Sequence, residues 1–364
     1  MNTAPASAIP KKKKKRQLRQ AFARTLQRLT PKRAGNTPFT GNLNTIAILA
    51  QEKLGDSVLL TPLIRTLKKT FPKLEIHIIA FSRASAEFFQ SDPDITAVHM
   101  AKKEPRTYQK EVLSKQFDVL FNTKDHPSTH FLLQSVLIKA RWKVGHANNF
   151  HTGLFDQLIQ LDHNTHMALK NCAILPLLAV KATEKECRPS LAPSPLPMEM
   201  QIFLRQIENK HPTGINISAG EANRSWPKEK WKALVDLFPE ERFVVLCGPN
   251  ELIEKKNLER ICPTVIPSPA TRNLYEASLI VAKLKLLVTP DTSLIHIASA
   301  AGTPVVGLYR EAPQDISRFG PFLIPSELVI SPTGEVSDIA PNSVKKAMEK
   351  LLPRELPASW ETSV

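Results

Sequence analysis

The chain has 364 residues, of which 42% are hydrophobic, and this length exceeds one typical folding core and suits two globular domains. No segment reaches the ~18–20 consecutive apolar residues of a membrane-spanning helix, since the apolar run at 279–288 is interrupted by Lys283 and Lys285. The net charge of +15 belongs mainly to residues 1–34, which hold eleven basic residues and no acidic one, so the remainder is close to neutral.

A basic arm, residues 1–43, precedes the first predicted strand. Residues 1–10 are expected to be disordered, and residues 11–16 are an unbroken cationic run. A short basic amphipathic helix is then predicted from apolar residues at helical spacing, namely Leu18, Phe22, Leu26 and Leu29. We expect residues 11–33 to bind an anionic membrane surface. A solvated tail is the main alternative, and nucleic acid is not expected, since no aromatic-studded basic surface continues into the body.

Strand-like and helix-like segments alternate from Thr45 onwards. Strands are predicted at residues 45–50, 74–81, 95–100 and 117–122, and around Val144. The strand at 117–122 ends in a polar cluster. Helices are predicted between and after them at residues 57–70, 85–90, 108–115, 131–139 and 167–178. Pro62 is expected either to kink the first of these helices or to start it afresh.

Four prolines within residues 188–197 predict an interdomain linker, and we assign residues 188–211 to this linker and a connecting helix. The alternation then resumes. Strands are predicted at 214–218, 242–247, 284–289 and, as the last strand, 304–309. Helices are predicted at 228–237, 251–260, 273–282, 292–301 and, at the end of the chain, 344–352.

This rhythm predicts an α/β fold with parallel sheets covered on both faces. Residues 44–187 and 212–335 are predicted to form two Rossmann-like domains that face each other across a cleft. Ligands bind such sheets beyond the carboxyl ends of the strands. Polar residues at strand–helix junctions are therefore the best candidates for a functional site.

Cysteine usage and the N-terminal pattern bear on the cellular compartment. No two of the cysteines form a Cys-x-x-Cys pair, so we expect reduced, buried thiols at Cys172, Cys187, Cys247 and Cys262. The first positive charges are not followed by the apolar core of a secretory signal. We therefore expect a cytoplasmic protein.

The first junction contains Gly55 and Asp56, directly after the predicted strand at 45–50. Glycine permits a close approach of the backbone, and Asp56 lies where the next helix begins. Asp56 is either a functional carboxylate or the cap of that helix. The pair is a weak pattern by itself, because the chain has no Gly-x-Gly-x-x-Gly fingerprint.

The next two junctions supply a cation and a carboxylate. Arg224 lies in the loop 218–225, just before a helix start at Trp226-Pro227, which is an arrangement that suits a pyrophosphate. Glu251 follows the strand at 242–247 and has the position of a carboxylate that binds ribose hydroxyls. The alternatives are an ordinary surface arginine and a first-turn acidic residue that complements the helix dipole.

The fourth junction is the richest in polar groups. Asp291, Thr292 and Ser293 connect a strand to a helix, and their hydroxyls and amides suit a phosphate. His296 follows about one turn later on the same face as Thr292. The alternative is a capped helix with a core histidine.

In this order, the four junctions resemble glycosyltransferase family 9, the ADP-heptose:lipopolysaccharide heptosyltransferases. The resemblance runs from about Ile46 to Tyr309 and rests mainly on residues 54–65, Trp226-Pro227 with its preceding loop, and 291–306. It implies a GT-B fold with the acceptor on the first domain and the nucleotide-sugar on the second. It also implies that the terminal helix and tail, residues 336–364, cross back to the first domain.

The resemblance further implies an inverting transfer of heptose from ADP-heptose to a lipopolysaccharide core or related surface glycan. Asp56 is implied as the general base and Arg224 as the cation on the diphosphate. Glu251 is implied to hold the ribose and Asp291 the sugar. The other implied donor-side residues are Ser218, Thr292, Ser293 and His296, and the acceptor-side residues are Lys53, Gly55 and Ser57. The nucleotide-sugar is a substrate, and neither a cofactor nor a metal is implied.

Three departures from the family pattern accompany the resemblance. Ala50 stands where many relatives have an arginine, and Lys53 is a candidate substitute for that arginine. Ser293 stands where the family has a glycine, and Arg224 stands where lysine is frequent. None of these departures removes a proposed catalytic group, but the first leaves the identity of the acceptor open. A family-level match reports chemistry better than specificity, so another nucleotide-hexose as donor, or a non-catalytic relative that binds a nucleotide-sugar or glycolipid, also stays open. The family and the basic arm together place the protein peripherally on the inner face of the inner membrane, with a lipid-linked glycan as acceptor.

Overall fold

The computed structural model describes residues 11–100, 103–311 and 313–352, with the backbone alone for residues 11–16. Its described residues form two compact units. The first comprises residues up to 53, 63–163 and 170–182, and the second comprises 54–62, 164–169 and those from 183 onwards. Residues 1–10, expected to be disordered, lie outside the described residues. No helix among those described is long and apolar enough to cross a membrane.

The first unit contains a six-stranded parallel sheet of order β3-β2-β1-β4-β5-β6. Its strands are β1 Thr45–Ala50, β2 Glu75–Ala80, β3 Ala97–His99, β4 Gln116–Asn122, β5 Lys139–His146 and β6 Gln157–Ile159. Residues 46–50 of the central strand are fully buried, as a near-continuous apolar run predicts for a sheet covered on both faces. The strand order reverses between β1 and β4, and such a switch point opens a crevice at the carboxyl ends of the strands.

Six helices accompany this sheet in the chain. They are α1 Lys11–Leu29, α2 Leu54–Thr70, α3 Arg83–Gln90, α4 Pro105–Tyr108, α5 Thr129–Leu137 and α6 Met167–Cys172. Two of them, α2 and α6, contribute residues to both units. Sequence analysis missed the short strand β6, because three residues give too little periodicity to recognise.

Helix α2 is continuous through Pro62, so the expected restart after Thr61 is wrong. A proline has no amide hydrogen for the carbonyl four residues earlier. Here the Thr61 hydroxyl donates to that carbonyl, on Val58, at 2.7 Å. The side chain replaces the missing backbone donor, and the helix starts at Leu54, so that Gly55 and Asp56 lie within its first turn.

Helix α1 packs on the first unit along one edge. Ala23 is buried, and Leu26 packs beside it against Leu132, Phe150, Leu154 and Phe155. The Gln27 amide donates to the backbone carbonyls of Asn149, Phe150 and Thr152. Arg33, just beyond the helix, pairs with Asp156. The arm is therefore attached to the domain, whereas its outer apolar side chains stay exposed.

The second unit contains a five-stranded parallel sheet of order β11-β10-β9-β7-β8. Its strands are β7 Thr213–Asn216, β8 Phe243–Leu246, β9 Leu286–Pro290, β10 Val305–Tyr309 and β11 Ser326–Ile330. Its helices are α7 Met198–Ile207, α8 Lys228–Asp236, α9 Leu252–Ile261, α10 Leu274–Val281, α11 Ser293–Ala301, α12 Pro313–Phe319 and α13 Pro341–Leu351. The expectation that β10 is the last strand is wrong, because β11 pairs with it in parallel; as an edge strand, β11 lacks a continuous buried run.

The terminal helix α13 packs on the core of the second unit. Its apolar face, Val344, Ala347 and Met348, is buried in the second unit's core beside Trp231 of α8. Helix α13 therefore groups with the second unit, and the expectation that residues 336–364 cross back to the first domain stays a prediction. The tail beyond residue 352 lies outside the described residues.

Candidate functional site

The carboxyl ends of β7 and β9 meet at the switch point of the second sheet, and Asn216 joins them. Its amide donates to the hydroxyls of Thr289, at 2.9 Å, and Thr292, at 3.1 Å. Asn216 was not among the residues predicted from sequence, although a polar residue at the end of an otherwise buried strand was the available signal. This bonding fixes the loop that carries Asp291 at the edge where parallel sheets bind ligands.

Thr292 and Ser293 begin helix α11 as predicted from sequence. Thr292 is the N-cap, and its hydroxyl accepts from the amide of Leu294 at 3.3 Å. Ser293 is the first helical residue and is partly exposed. The first turn of a helix presents unpaired amides and a partial positive charge, so this end suits a phosphate.

Arg224 is held beside the same loop. Its Nη1 lies 2.8 Å from Oδ2 of Asp291 and also donates to the Asp291 carbonyl at 3.2 Å. Glu221 lies 3.8 Å from its Nε, beyond hydrogen-bond distance, and this buried Nε has no hydrogen-bond partner among the described residues. The surface-arginine alternative therefore fails, because the guanidinium is mostly buried and oriented by a carboxylate.

Ser218 and Glu251 form a second polar pair at the ends of β7 and β8. The Ser218 hydroxyl donates to Oε2 of Glu251 at 2.7 Å and accepts from the Gly248 amide at 2.6 Å. A side chain at Gly248 would approach the Glu251 carboxylate to 3.2 Å. Glu251 is the N-cap of α9 and makes no side-chain cap bond. Its carboxylate is therefore oriented by Ser218 and not by the helix end.

His296 packs against Gly55. A Cβ at Gly55 would lie 2.9 Å from Cδ2 and 3.1 Å from Nε2 of His296, so only glycine fits without a shift. Burial lowers the pKa of His296 to about 3, with His166 adding to the effect. His296 is thus a buried neutral histidine, which favours the core-histidine alternative over a cation on the phosphates. The predicted close approach at Gly55 is observed, and its partner is this imidazole.

Asp56 is the third residue of α2 and is half-buried. The N-cap is Lys53, whose side chain is exposed, so Asp56 is not the cap of this helix. Gly55 and Asp56 group with the second unit, as does His296. Ser57 is completely buried, which argues against its predicted acceptor contact.

Tyr309, at the end of β10, was missed by sequence analysis. Its hydroxyl is buried and has no hydrogen-bond partner among the described residues. Burial raises the pKa of Tyr309 well above its ordinary value, and the Asp291 charge raises it further. The hydroxyl therefore stays protonated near the Arg224–Asp291 pair.

A separate polar cluster lies at the switch point of the first sheet, after β1 and β4. The Lys124 ammonium donates to the Gln51 amide oxygen at 3.1 Å and to Oε2 of Glu52 at 2.8 Å. Partial burial acts to raise the pKa of Glu52, but the hydrogen bond and charge of Lys124 outweigh it, and the net pKa is lowered. Glu52 is therefore kept ionised.

Asp125 extends this cluster. It accepts from Lys170 at 2.6 Å through Oδ2, and its Oδ1 lies 3.1 Å from Nδ1 of His126. Lys170 also donates to the His163 carbonyl at 2.7 Å. The sequence indicated only a polar cluster after strand β4, because the partners of these residues come from distant chain positions.

The second unit's site can bind an anionic, hydroxyl-rich ligand. Arg224 and the first turn of α11 supply positive charge, and Glu251 and Asp291 supply carboxylates. Among the residues described, no group of three or more His, Cys, Asp or Glu side chains is arranged to hold a metal ion.

Comparisons with known proteins agree with this chemistry. The sequence model of the family described as glycosyltransferase family 9 (heptosyltransferase) matches residues 106–336, which include Arg224, Glu251 and Asp291 and begin after Asp56. A second model, of a family of unknown function (DUF6913), matches residues 14–174.

Two curated relatives are heptosyltransferases. Lipopolysaccharide heptosyltransferase 3 of Escherichia coli is 24% identical over 339 residues, which cover 84% of this chain and 97% of the relative. Lipopolysaccharide core heptosyltransferase OpsX of Haemophilus influenzae is 22% identical over 284 residues, covering 74% of this chain and 80% of the relative.

Solved structures share the fold. A glycosyltransferase family 9 protein of Veillonella parvula has a TM-score of 0.63 at 18% identity, covering 85% of this chain and 97% of its own. The E. coli heptosyltransferase WaaC with ADP has a TM-score of 0.62 at 16% identity, covering 84% and 97%. These likenesses and the two parallel sheets confirm the predicted α/β, GT-B type fold with two Rossmann-like units. Since the family 9 model matches more than half of the chain, this protein belongs to glycosyltransferase family 9 and is a glycosyltransferase.

Proposed function

We propose that the protein is an inverting heptosyltransferase that moves heptose from ADP-heptose to a lipopolysaccharide core or related surface glycan. The observation that carries the proposal is the Arg224–Asp291 pair beside the start of α11, at the switch point of the second sheet. The names of the curated relatives support heptose as the sugar.

The donor is held by the second unit. Arg224 and the amides at Thr292 and Ser293 bind the diphosphate and offset its charge as it leaves. Glu251 accepts hydrogen bonds from the ribose hydroxyls, in the orientation that Ser218 imposes. Asp291 contacts the sugar and positions Arg224.

Asp56 accepts the proton in the transfer step. The acceptor hydroxyl oxygen attacks the anomeric carbon, its proton passes to the Asp56 carboxylate, and the nucleoside diphosphate leaves from the opposite face with its electron pair. One displacement inverts the anomeric configuration and requires one base. A positioned base of this kind contributes about 10²–10⁴-fold to the rate.

Thermal stabilisation across a nucleotide panel tests the donor assignment. ADP and ADP-heptose are expected to raise the melting temperature, because a ligand that binds only the folded state stabilises it, whereas UDP, GDP and their sugars are expected to have little effect. A selective shift with UDP or GDP compounds would replace heptose by another sugar. No shift with any compound would favour a non-catalytic relative.

We further propose that α1 attaches the protein to the inner face of the inner membrane. Leu18 and Leu29 are 64% and 78% exposed, and Arg24 and Arg28 are exposed on the same helix. An apolar stripe flanked by arginines suits an anionic lipid surface. The helix is fixed to the domain through Ala23 and Gln27 on its inner side, so membrane binding does not require it to detach.

A further inference from the structure

The polar cluster at the first sheet's switch point has a buried layer and an exposed layer. The side chains of Lys124, Asp125 and Lys170 are 10%, 5% and 3% exposed. Glu52 and His126 are 42% and 51% exposed. Each exposed group is bonded to a buried partner, so the buried residues fix the direction in which the exposed ones point.

We propose that Glu52 and His126 form a subsite that binds hydroxyl groups of a sugar ring in the acceptor, an inference that rests on the proposed transferase function. The subsite lies where the order of strands reverses, between β1 and β4, which is where sheets of this topology bind ligands. Glu52 also precedes the general base, Asp56, by only four residues in the chain. Neither Glu52 nor His126 belongs to the donor site.

The charges of the cluster favour hydroxyl groups over phosphate. Lys124 is neutralised by Glu52, and Lys170 by Asp125. Both ammonium groups already donate to carboxylates, whereas at the donor site Arg224 has a buried Nε with no hydrogen-bond partner among the described residues. A bound phosphate would also face the Glu52 carboxylate, which repels it.

The hydrogen-bonding groups of the cluster match a sugar hydroxyl. His126 donates from Nδ1 to Oδ1 of Asp125, which leaves Nε2 as its second hydrogen-bonding atom. The Glu52 carboxylate is an acceptor, and its hydrogen bond from Lys124 holds it in place. These two groups, beyond adjacent strand ends, match the hydroxyl groups of one ring, because a hydroxyl group both donates and accepts hydrogen bonds. Asp125, Lys124 and Lys170 act as positioning residues.

The test compares wild type with His126→Ala, Glu52→Gln and the matched control His130→Ala, an exposed histidine on α5. The probe is a deacylated lipopolysaccharide core oligosaccharide, used intact and after enzymatic dephosphorylation. We expect about tenfold weaker oligosaccharide binding for each of the first two variants, the loss typical of one hydrogen bond to a charged or oriented group. In transfer assays, the acceptor KM rises by a similar factor, whereas kcat and the Kd for ADP stay within about twofold.

Two further measurements distinguish a binding subsite from a merely structural cluster. Asp125→Asn is expected to raise the acceptor KM, and to add little when combined with His126→Ala, because both changes act on one imidazole. Dephosphorylation of the oligosaccharide is expected to leave its affinity unchanged.

The proposal is overturned if His126→Ala binds the oligosaccharide as tightly as wild type does, if His130→Ala weakens binding equally, or if wild type binds neither form. It is also overturned if removal of phosphate abolishes binding, which would identify an anion site. Failure of the proposed function looks different, because wild type would then not bind ADP.

Discussion

At the scale of single residues, Asp56 carries the clearest functional prediction. Asp56→Asn keeps the shape of the side chain and removes the proton acceptor. We expect kcat for transfer to fall about 10²–10⁴-fold, with the Kd for ADP unchanged within about twofold, as measured by a coupled nucleotide-release assay and calorimetry. Glu87→Gln, at an exposed acidic residue of α3, is the matched control. A normal kcat in Asp56→Asn would remove Asp56 from the chemistry.

Arg224 carries the second residue-scale prediction. Arg224→Ala removes a mostly buried cation from the proposed diphosphate site and breaks the ion pair with Asp291. We expect ADP to bind about 10–100-fold more weakly in calorimetry, the loss typical of a charge-assisted hydrogen bond. Arg224→Lys is expected to recover part of the affinity, because it restores the charge. Arg260→Ala, at an exposed arginine of the same unit, serves as the control, and equal ADP affinity in all four proteins would contradict the role of Arg224.

The sequence could predict the role of a residue only where its partners lie close to it in the chain. Gly55 and Asp291 stand in local patterns that mark a strand–helix junction, so both were found. Asn216, Tyr309 and Lys124 act through partners 70 or more residues away or through burial alone. Their roles depend on which strand ends become neighbours, and a single sequence does not determine that order.

At the scale of helices and strands, the buried central strands were predictable because they are long apolar runs, whereas the edge strands β6 and β11 were not. Edge strands are short or half-exposed, and their pairing comes from the neighbouring strand and not from their own pattern. In helix α2, by contrast, the sequence predicted a feature that the structure does not have. Its proline predicted a break, but a side-chain hydroxyl one residue earlier compensates for the missing donor.

Helix α2 gives a stability prediction. In Thr61→Val the hydroxyl is lost, so the buried Val58 carbonyl and the Ser190 amide, which donates to Thr61 at 3.0 Å, both lose a partner. Each unsatisfied buried group costs about 1–3 kcal/mol. We expect the free energy of unfolding to fall by roughly 2–4 kcal/mol in denaturant titrations, and Thr61→Ser to retain most of it. Equal stability of Thr61→Val and wild type would show that Pro62 is accommodated in another way.

Helix α1 gives a membrane prediction. The double variant Leu18→Ser and Leu29→Ser removes exposed apolar area, so we expect binding to anionic vesicles to weaken about tenfold or more in co-sedimentation. The melting temperature should stay unchanged, because neither side chain is packed. Leu137→Ser, at an exposed leucine outside the arm, is the control. Vesicle binding that matches wild type in the double variant would mean that the arm is a solvated tail.

At the scale of the whole molecule, the two sheets share one topological feature. Each sheet reverses its strand order once, between β1 and β4 in the first unit and between β7 and β9 in the second. Each reversal carries a cluster of oriented polar side chains, with Lys124 and Asp125 in one and Asn216 and Arg224 in the other. Under the proposed function, the polar groups at the first reversal bind the acceptor and those at the second bind the nucleotide-sugar, whose diphosphate contacts Arg224.

Buried neutral histidines give the molecule a pH-dependent stability. Burial lowers the pKa of His146 and His151 to about 4 and that of His296 to about 3, each from an ordinary value of 6.5. A lowered pKa means that the unfolded chain takes up the proton first. The stability that these histidines contribute is therefore fully present above pH 6.5 and is lost as the pH falls from 6.5 towards 4. Between pH 7.5 and 5.5, each histidine lowers the free energy of unfolding by about 1 kcal/mol.

Denaturant titrations at these two pH values measure the effect, and His151→Asn isolates one contributor. Whatever its stability at pH 7.5, this variant is expected to lose about 1 kcal/mol less free energy of unfolding than wild type on going to pH 5.5, because the contribution of His151 is absent. His130→Asn, at an exposed histidine, should lose as much as wild type. The chosen range lies above the ordinary pKa values of carboxylates, so they contribute little to the difference. Unfolding free energies that are equal at pH 7.5 and 5.5 would mean that these imidazoles become protonated without unfolding, and that their burial does not keep them neutral.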